Sequence, residues 1–138
     1  MKSLSLTITA IPSEISPAID IINQFFEHQG VDEKSRFELQ VVLAESLGNA
    51  IKHSLKGGSY SESVYIHCES EKKRLIVTTR DNGQPLAERP DYVFPDAASQ
   101  NGRGWPIIFS WMDNVEYYAK RGTNYLELTK FLVPPKTT

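Results

Sequence analysis

A single long stretch of helical periodicity, from Asp32 to about His53, determines much of what this chain can fold into. Apolar residues recur along one side of the stretch at the spacing that lets a helix seal against a sheet. On another side Glu45, Asn49 and His53 follow one another at i, i+4 positions and form one polar stripe. Valines border that stripe, whereas a solvated helix face is charged throughout. Taken alone, the stripe is equally typical of surface residues near a helix end.

The segments around this helix alternate between strand-like and helix-like patterns. One further helix is expected from an N-cap at Ser16 to a stop at Gly30, and another from about Gly104. Strand patterns occupy residues 3–10, 64–68, 75–80, 115–118 and 125–128. The order is roughly β-α-α-β-β-loop-α-β-β, with most strands in hairpin pairs. We therefore predict an α+β, two-layer fold, in which a mixed, mostly antiparallel sheet is covered on one face by three helices.

Length and charge exclude several classes of protein. A chain of 138 residues fits one domain, residues 1–138, with a frayed tail at 134–138. The net charge of −2 provides no bulk attraction to nucleic acid or to an anionic membrane. No apolar run approaches the ~20 residues of a membrane span, and the N-terminus is typical of a strand rather than a signal peptide. We expect a cytoplasmic protein in which Cys68, the only cysteine, is a packed thiol.

A second motif, Asp81-Asn82-Gly83, follows directly after an apolar strand-like run. Asp-Asn-Gly alone is more often just a turn. Here it leads into a long loop, residues 82–101, which contains three prolines, instead of into a returning strand. Loops of that length in small domains are usually lids or binding loops. Asp81 could accept a hydrogen bond from an exocyclic amine, and Gly83 lets a flat ring approach the backbone.

The third motif is Gly102-Arg103-Gly104 at the start of the last helix. Such a start exposes backbone N–H groups and the positive end of the helix dipole, which suits phosphate, and Arg103 adds charge. There is no Walker A motif, and the third glycine of a dinucleotide-binding motif is missing. A nucleotide site is predicted by three features in this order: a helix with an acid and an amide, an Asp-x-Gly turn, and a Gly-x-Gly helix start.

With Gly122-Thr123 added, the four motifs together resemble the Bergerat-fold (GHKL) ATP-binding domain. Gyrase-type topoisomerases, histidine kinases and MutL-type proteins share that domain. Over almost its whole length, the chain is most similar to the small, stand-alone anti-sigma factor serine/threonine kinases of bacteria. Pro85 stands where histidine kinases typically carry a second glycine, which favours the small kinases.

The resemblance implies a role for each residue of the polar stripe. Glu45 is expected to be the general base that orients or deprotonates an attacking hydroxyl. Asn49 is expected to bind Mg²⁺ through its amide oxygen, a hard ligand suited to that cation. His53 is expected to stand near the phosphates of ATP.

The other motifs receive their roles from the same resemblance. Asp81 would read the adenine amine, and Gly83 would allow close approach of the base. Gly102 and Gly104, with Arg103 beside them, would hold phosphate oxygens, and Thr123 would support the adenine side. Residues 84–101 would form the ATP lid.

The function that the resemblance implies is that of an ATP-dependent serine/threonine-protein kinase, an anti-sigma or similar partner-switching regulator. Its substrate would be a small anti-anti-sigma antagonist of the STAS type, and its other partner a sigma factor or similar regulator. A homodimer is implied, with no direct contact to nucleic acid or membrane. The alternative is a non-catalytic nucleotide-binding module that sequesters its partner without phosphotransfer.

Overall fold

Helices and strands follow one another in the predicted order. The structure, a computed structural model, describes residues 2–86 and 104–132, with His53 and Ser54 described by their backbone alone. The elements are β1 Lys2–Ala10, α1 Ile15–His28, α2 Glu33–Asn49, β2 Ser59–Ser70, β3 Arg74–Asp81, α3 Gly104–Trp111, β4 Asn114–Lys120 and β5 Thr123–Phe131.

The strands form one five-stranded sheet in the order β1-β2-β3-β5-β4. Every pairing between these described strands is antiparallel, so the sheet is not mixed. One face carries alternate apolar residues such as Ile66, Val77 and Leu128, all nearly inaccessible to solvent. These residues form one core with the buried sides of the helices. The α+β prediction, with three helices over one sheet face, is confirmed.

Helix α2 packs its apolar side into this core through Leu39, Leu43 and Leu47. Directly after Asn49 the chain makes a π-helical turn, Ala50–Ser54, closed by the bond from Leu55 N to Ala50 O at 3.0 Å. Such wider turns often occur at functional sites. The turn interrupts the α-helical spacing between Asn49 and His53. The His53 side chain lies outside the part of the chain that the structure describes, so its place on the stripe stays a prediction.

The start of α1 differs from the prediction. Residues Pro12–Glu14 form a 3₁₀ turn, and α1 begins at Ile15 without a side-chain cap. Ser16 therefore lies inside the helix, because Pro12 already provides the fixed φ that favours a helical start. At the other end, Gly30 adopts a φ of +82°, which stops the helix as expected.

Buried surroundings make Cys68 chemically inert. Its side chain lies fully inside the core, and this burial raises the pKa of the thiol to about 12. This burial confirms the expected packed thiol. Because only the thiolate is a good nucleophile, a thiol with so high a pKa is unreactive at neutral pH. Among the described residues, no helix is both long enough and apolar enough to cross a bilayer.

The N-cap of α2 is expected to stabilise the protein. The Asp32 carboxylate accepts a hydrogen bond of 2.9 Å from Ser35 N. Replacing Asp32 with alanine is expected to lower the free energy of unfolding by ~1 kcal/mol, whereas Asp20→Ala, an exposed change inside α1, serves as a control. Chemical denaturation at neutral pH measures both variants. Equal stability of Asp32→Ala and the wild type would contradict the capping role.

The same cap gives a pH dependence. Desolvation alone would raise the pKa of Asp32, but the hydrogen bonds from Ser35 outweigh it and hold that pKa below its ordinary value of 3.8. The stabilisation is therefore complete above the unfolded pKa and is lost as the pH falls through the lower, folded value.

Candidate functional site

A cleft opens between α2, the end of β3 and the start of α3. It contains about 410 Å³ of empty space, counted to its open mouth. Its polar lining includes Ser46, Asn49, Thr79, Asp81, Gln84 and Asn124, and its apolar and aromatic lining includes Ala50, Leu86, Trp105, Tyr117, Tyr125 and Leu126. Among the lining side chains that the structure describes, none is a lysine or arginine. The cleft thus suits a flat, largely apolar group with a few polar edges rather than a phosphate.

Asp81 is held rigidly at the floor of this cleft. It ends β3, is only 7% exposed, and lies directly opposite Asn124 in the register of β3 and β5. Its Oδ1 accepts hydrogen bonds from Gly83 N and from Asn124 Nδ2, both at 2.9 Å. A carboxylate only accepts hydrogen bonds, so a ligand at this place must offer a donor.

Glu45 and Asn49 converge on the first residue of α3. A Cβ added to Gly104 would lie 2.9 Å from Oε2 of Glu45 and 3.1 Å from Nδ2 of Asn49. The absence of a side chain at Gly104 therefore lets the end of α3 approach both polar groups. Residues separated by more than fifty positions in the sequence are brought together here.

The Asn49 amide has spare hydrogen-bonding capacity. Its Nδ2 is buried and makes no hydrogen bond to any described group. Leaving such a donor unpaired costs ~1–3 kcal/mol, and groups of this kind in native proteins call for a functional explanation. The amide is therefore suited to a polar ligand that enters between α2 and α3.

A magnesium ion fits this donor set if a nucleotide supplies most of its ligands. The described residues contain no cluster of three or more histidine, cysteine, aspartate or glutamate side chains that could hold a metal alone. Mg²⁺ commonly binds through one or two protein oxygens, waters and substrate phosphates. Asn49 Oδ1 can serve as such a protein oxygen.

The remaining predicted residues lie around the cleft or outside the described ranges. Thr123 donates a hydrogen bond of 3.0 Å to Asn82 Oδ1, so its hydroxyl holds the Asp-Asn-Gly turn. Gly83 borders a neighbouring opening, and its carbonyl accepts a hydrogen bond of 3.0 Å from Asn124 Nδ2. Gly102, Arg103, the His53 side chain and residues 87–101 of the predicted lid lie outside the part of the chain that the structure describes.

Sequence reasoning did not find Asn124 and Tyr117. Both line the cleft, and the Tyr117 hydroxyl donates to Asn124 Oδ1 at 3.4 Å. A signal existed for Asn124, because it occupies the same alternating face of β5 as the buried Leu126 and Leu128. A polar residue on the buried face of a strand requires a hydrogen-bond partner.

Comparisons with known proteins agree with this architecture. The sequence model of the histidine kinase-like ATPase domain matches residues 8–130. An anti-sigma F factor of Oceanobacillus iheyensis is 30% identical over 107 residues, covering 72% of each chain. An anti-sigma F factor of Anoxybacillus flavithermus is 27% identical over 138 residues, covering 95% of this chain and 84% of that protein.

A solved structure shares the fold. The crystal structure of RsbU and RsbW domains from Mycobacterium tuberculosis superposes on 97% of this chain with a TM-score of 0.67 and 14% sequence identity. This chain corresponds to 33% of that longer chain, and the likeness concerns the fold alone. With the match over residues 8–130, the chain belongs to the histidine kinase-like ATPase domain family.

Proposed function

We propose that this protein is an ATP-dependent serine/threonine-protein kinase that acts as an anti-sigma, partner-switching regulator. The observation that carries the proposal is the convergence of Glu45 and Asn49 on Gly104, beside the cleft that holds Asp81. A base, an amide oxygen and a helix N-terminus thereby surround the place where a phosphate chain would leave the cleft.

The cleft supports adenine as the bound base. Asp81 offers an acceptor to the exocyclic 6-amino group, whereas a 6-oxo purine would present an oxygen to the same carboxylate. Ala50 and Leu126 provide apolar walls, and Trp105 provides an aromatic one. Burial of both faces of a purine among such groups is typical of nucleotide sites.

Phosphate transfer requires mainly positioning and removal of one proton. Glu45 takes the proton from a serine or threonine hydroxyl of the substrate protein, whose oxygen then bonds to the γ-phosphorus of ATP. The bond from that phosphorus to the β,γ-bridging oxygen breaks, and ADP leaves with the electron pair. Asn49 would hold Mg²⁺, which when bound would neutralise charge on the phosphates of ATP. The positive end of the α3 dipole would also stabilise the anionic phosphates.

The relatives suggest the partners. Two of them are named anti-sigma F factors, so a sigma factor or similar regulator is the proposed sequestered partner. The proposed substrate is a small STAS-type antagonist protein, with this kinase acting as a homodimer. Phosphorylation adds about two negative charges to the antagonist, which would weaken its complex with the kinase and free the kinase for its other partner.

A second candidate is a nucleotide-binding module that sequesters its partner without phosphotransfer. The position of Glu45 beside Gly104 favours the kinase, because a pure binding site needs no base there. Incubation with γ-labelled ATP, Mg²⁺ and the antagonist separates the two. Only the kinase transfers label to a serine or threonine.

Binding measurements test the site itself. Asn49→Ala and Asp81→Ala are each expected to weaken Mg-ATP binding by about 10- to 100-fold, because each removes a hydrogen-bonding or metal-binding group worth ~1.5–3 kcal/mol. The Asn49→Ala effect should shrink when Mg²⁺ is omitted, whereas the Asp81→Ala effect should persist. Isothermal calorimetry gives both affinities. Unchanged Mg-ATP binding in both variants would refute the site assignment.

A further inference from the structure

A directed chain of hydrogen bonds ends on the carboxylate that faces the base. Leu86 N donates to the Tyr117 hydroxyl oxygen at 2.9 Å, and that hydroxyl donates to Asn124 Oδ1 at 3.4 Å. Asn124 Nδ2 then donates to Asp81 Oδ1 at 2.9 Å and to Gly83 O at 3.0 Å. Apart from the branch to Gly83 O, the bonds run in one direction, from the Leu86 amide to the Asp81 carboxylate.

The neighbours of Asn124 determine which end of its amide faces Asp81. Two acceptors lie beside Nδ2, and the Tyr117 hydroxyl lies beside Oδ1. Turning the amide over would place its oxygen against a carboxylate and a carbonyl. Because Asn124 is only 5% exposed, water cannot readily compensate for that reversal. The amide therefore has one favourable orientation.

Tyr117 is itself held by packing. Its ring meets the Trp105 ring edge-to-face, with centroids 6.2 Å apart and an interplanar angle of 75°. Both rings line the cleft. The hydroxyl thus sits at a defined place between β4 and the backbone of Leu86, and hydrogen bonds arranged head to tail reinforce one another.

We propose that Asn124 and Tyr117 are positioning residues that set the preference of the cleft for a 6-amino purine over a 6-oxo purine. The inference rests on the proposed function, in that a nucleotide base occupies the cleft. Asn124 acts by fixing the plane of the Asp81 carboxylate, and Tyr117 acts by fixing the amide of Asn124. A carboxylate free to rotate could turn away from a 6-oxo group and tolerate it.

The experiment compares the affinities of ATP and inosine triphosphate, which differ at the purine 6-position. The ratio of the ATP affinity to the inosine triphosphate affinity is expected to fall about 10-fold or more in Asn124→Val, which removes the donor that holds Asp81. Asn124→Thr has the same shape as the valine variant but retains a hydroxyl donor, so it should preserve more of the ratio. Calorimetry on the full chain measures all of these affinities, and circular dichroism verifies folding.

A milder pair of variants guards against misfolding. Tyr117→Phe removes one hydroxyl and is expected to lower the ratio about threefold, since it acts through Asn124. Tyr118→Phe is the matched control, because Tyr118 is 45% exposed and is not one of the residues that line the cleft. It should leave the ratio at the wild-type value. If Asn124→Val does not fold, the comparison of Tyr117→Phe with Tyr118→Phe decides.

Two results overturn the inference while the proposed function stands. One is a wild-type ratio in both Asn124→Val and Tyr117→Phe. The other is an equal loss of affinity for both nucleotides, which would indicate a purely structural role. A wild-type protein that binds neither nucleotide would instead overturn the proposed function, and the inference with it.

Discussion

Glu45→Gln is expected to lower phosphate transfer to the antagonist by ~100-fold or more, the usual range for loss of a general base. Glutamine keeps the size and shape of the side chain beside Gly104 but cannot accept the proton of the attacking hydroxyl. Affinity for Mg-ATP should stay near the wild-type value, because the carboxylate is assigned to chemistry rather than to anchoring. Single-turnover transfer of labelled phosphate and calorimetry measure the two quantities separately.

Glu116→Gln is the control for this experiment, since it removes an exposed carboxylate on β4. It should change neither transfer nor binding. Transfer at the wild-type rate by Glu45→Gln would mean that Glu45 is not the base. A loss of nucleotide binding in that variant would place Glu45 among the groups that hold the nucleotide or its metal.

Gly104→Ala should separate catalysis from stability. Its new Cβ would lie 2.9 Å from Glu45 Oε2 and 3.1 Å from Asn49 Nδ2, so both side-chain ends must shift. The Glu45 carboxylate, at the far end of a flexible side chain, can do so at little cost to folding. Alanine is also a better helix former than glycine. The displaced carboxylate, however, leaves its place near the attacking hydroxyl, and a misplacement of about 1 Å can cost ~100-fold in rate. We expect transfer to fall by ~10- to 100-fold with stability near or above the wild type.

Gly48→Ala is a closely matched control. Gly48 lies in α2 next to Asn49, and a Cβ there would meet no atom within 4 Å. The variant should therefore retain transfer. Full transfer by Gly104→Ala would show that the space at the start of α3 is not needed for catalysis, while a large loss of stability would show overpacking instead of displacement.

The elements themselves could be predicted from local pattern. Alternation in β1 and β5, the Asp32 cap and the Gly30 stop depend on side chains and φ angles within a few residues, and the structure confirms them. The start of α1 was placed wrongly, because Ser16-Pro17 and Pro12 both offer a proline at a helix start. Local pattern cannot choose between two such starts.

The candidate site was only partly visible in the sequence. Glu45 and Asn49 were recognisable because they lie one turn apart on one helix. The π-helical turn at Ala50–Ser54 could not be recognised from the sequence. It depends on how the end of α2 meets the following backbone, through bonds such as the one from Gly57 N to Ile51 O. The place of the His53 side chain beside Glu45 and Asn49 stays a prediction.

The sequence by itself determined the order of helices and strands, the polar pair on α2 and the carboxylate at the end of β3. Each of these follows from periodicity or from residues that are neighbours in the chain. Only the tertiary structure decided that Gly104 meets Glu45 and Asn49, and that Asn124 lies opposite Asp81. Those contacts depend on strand register and on the packing of α3 against α2, which arise between segments far apart in the sequence and leave no local pattern.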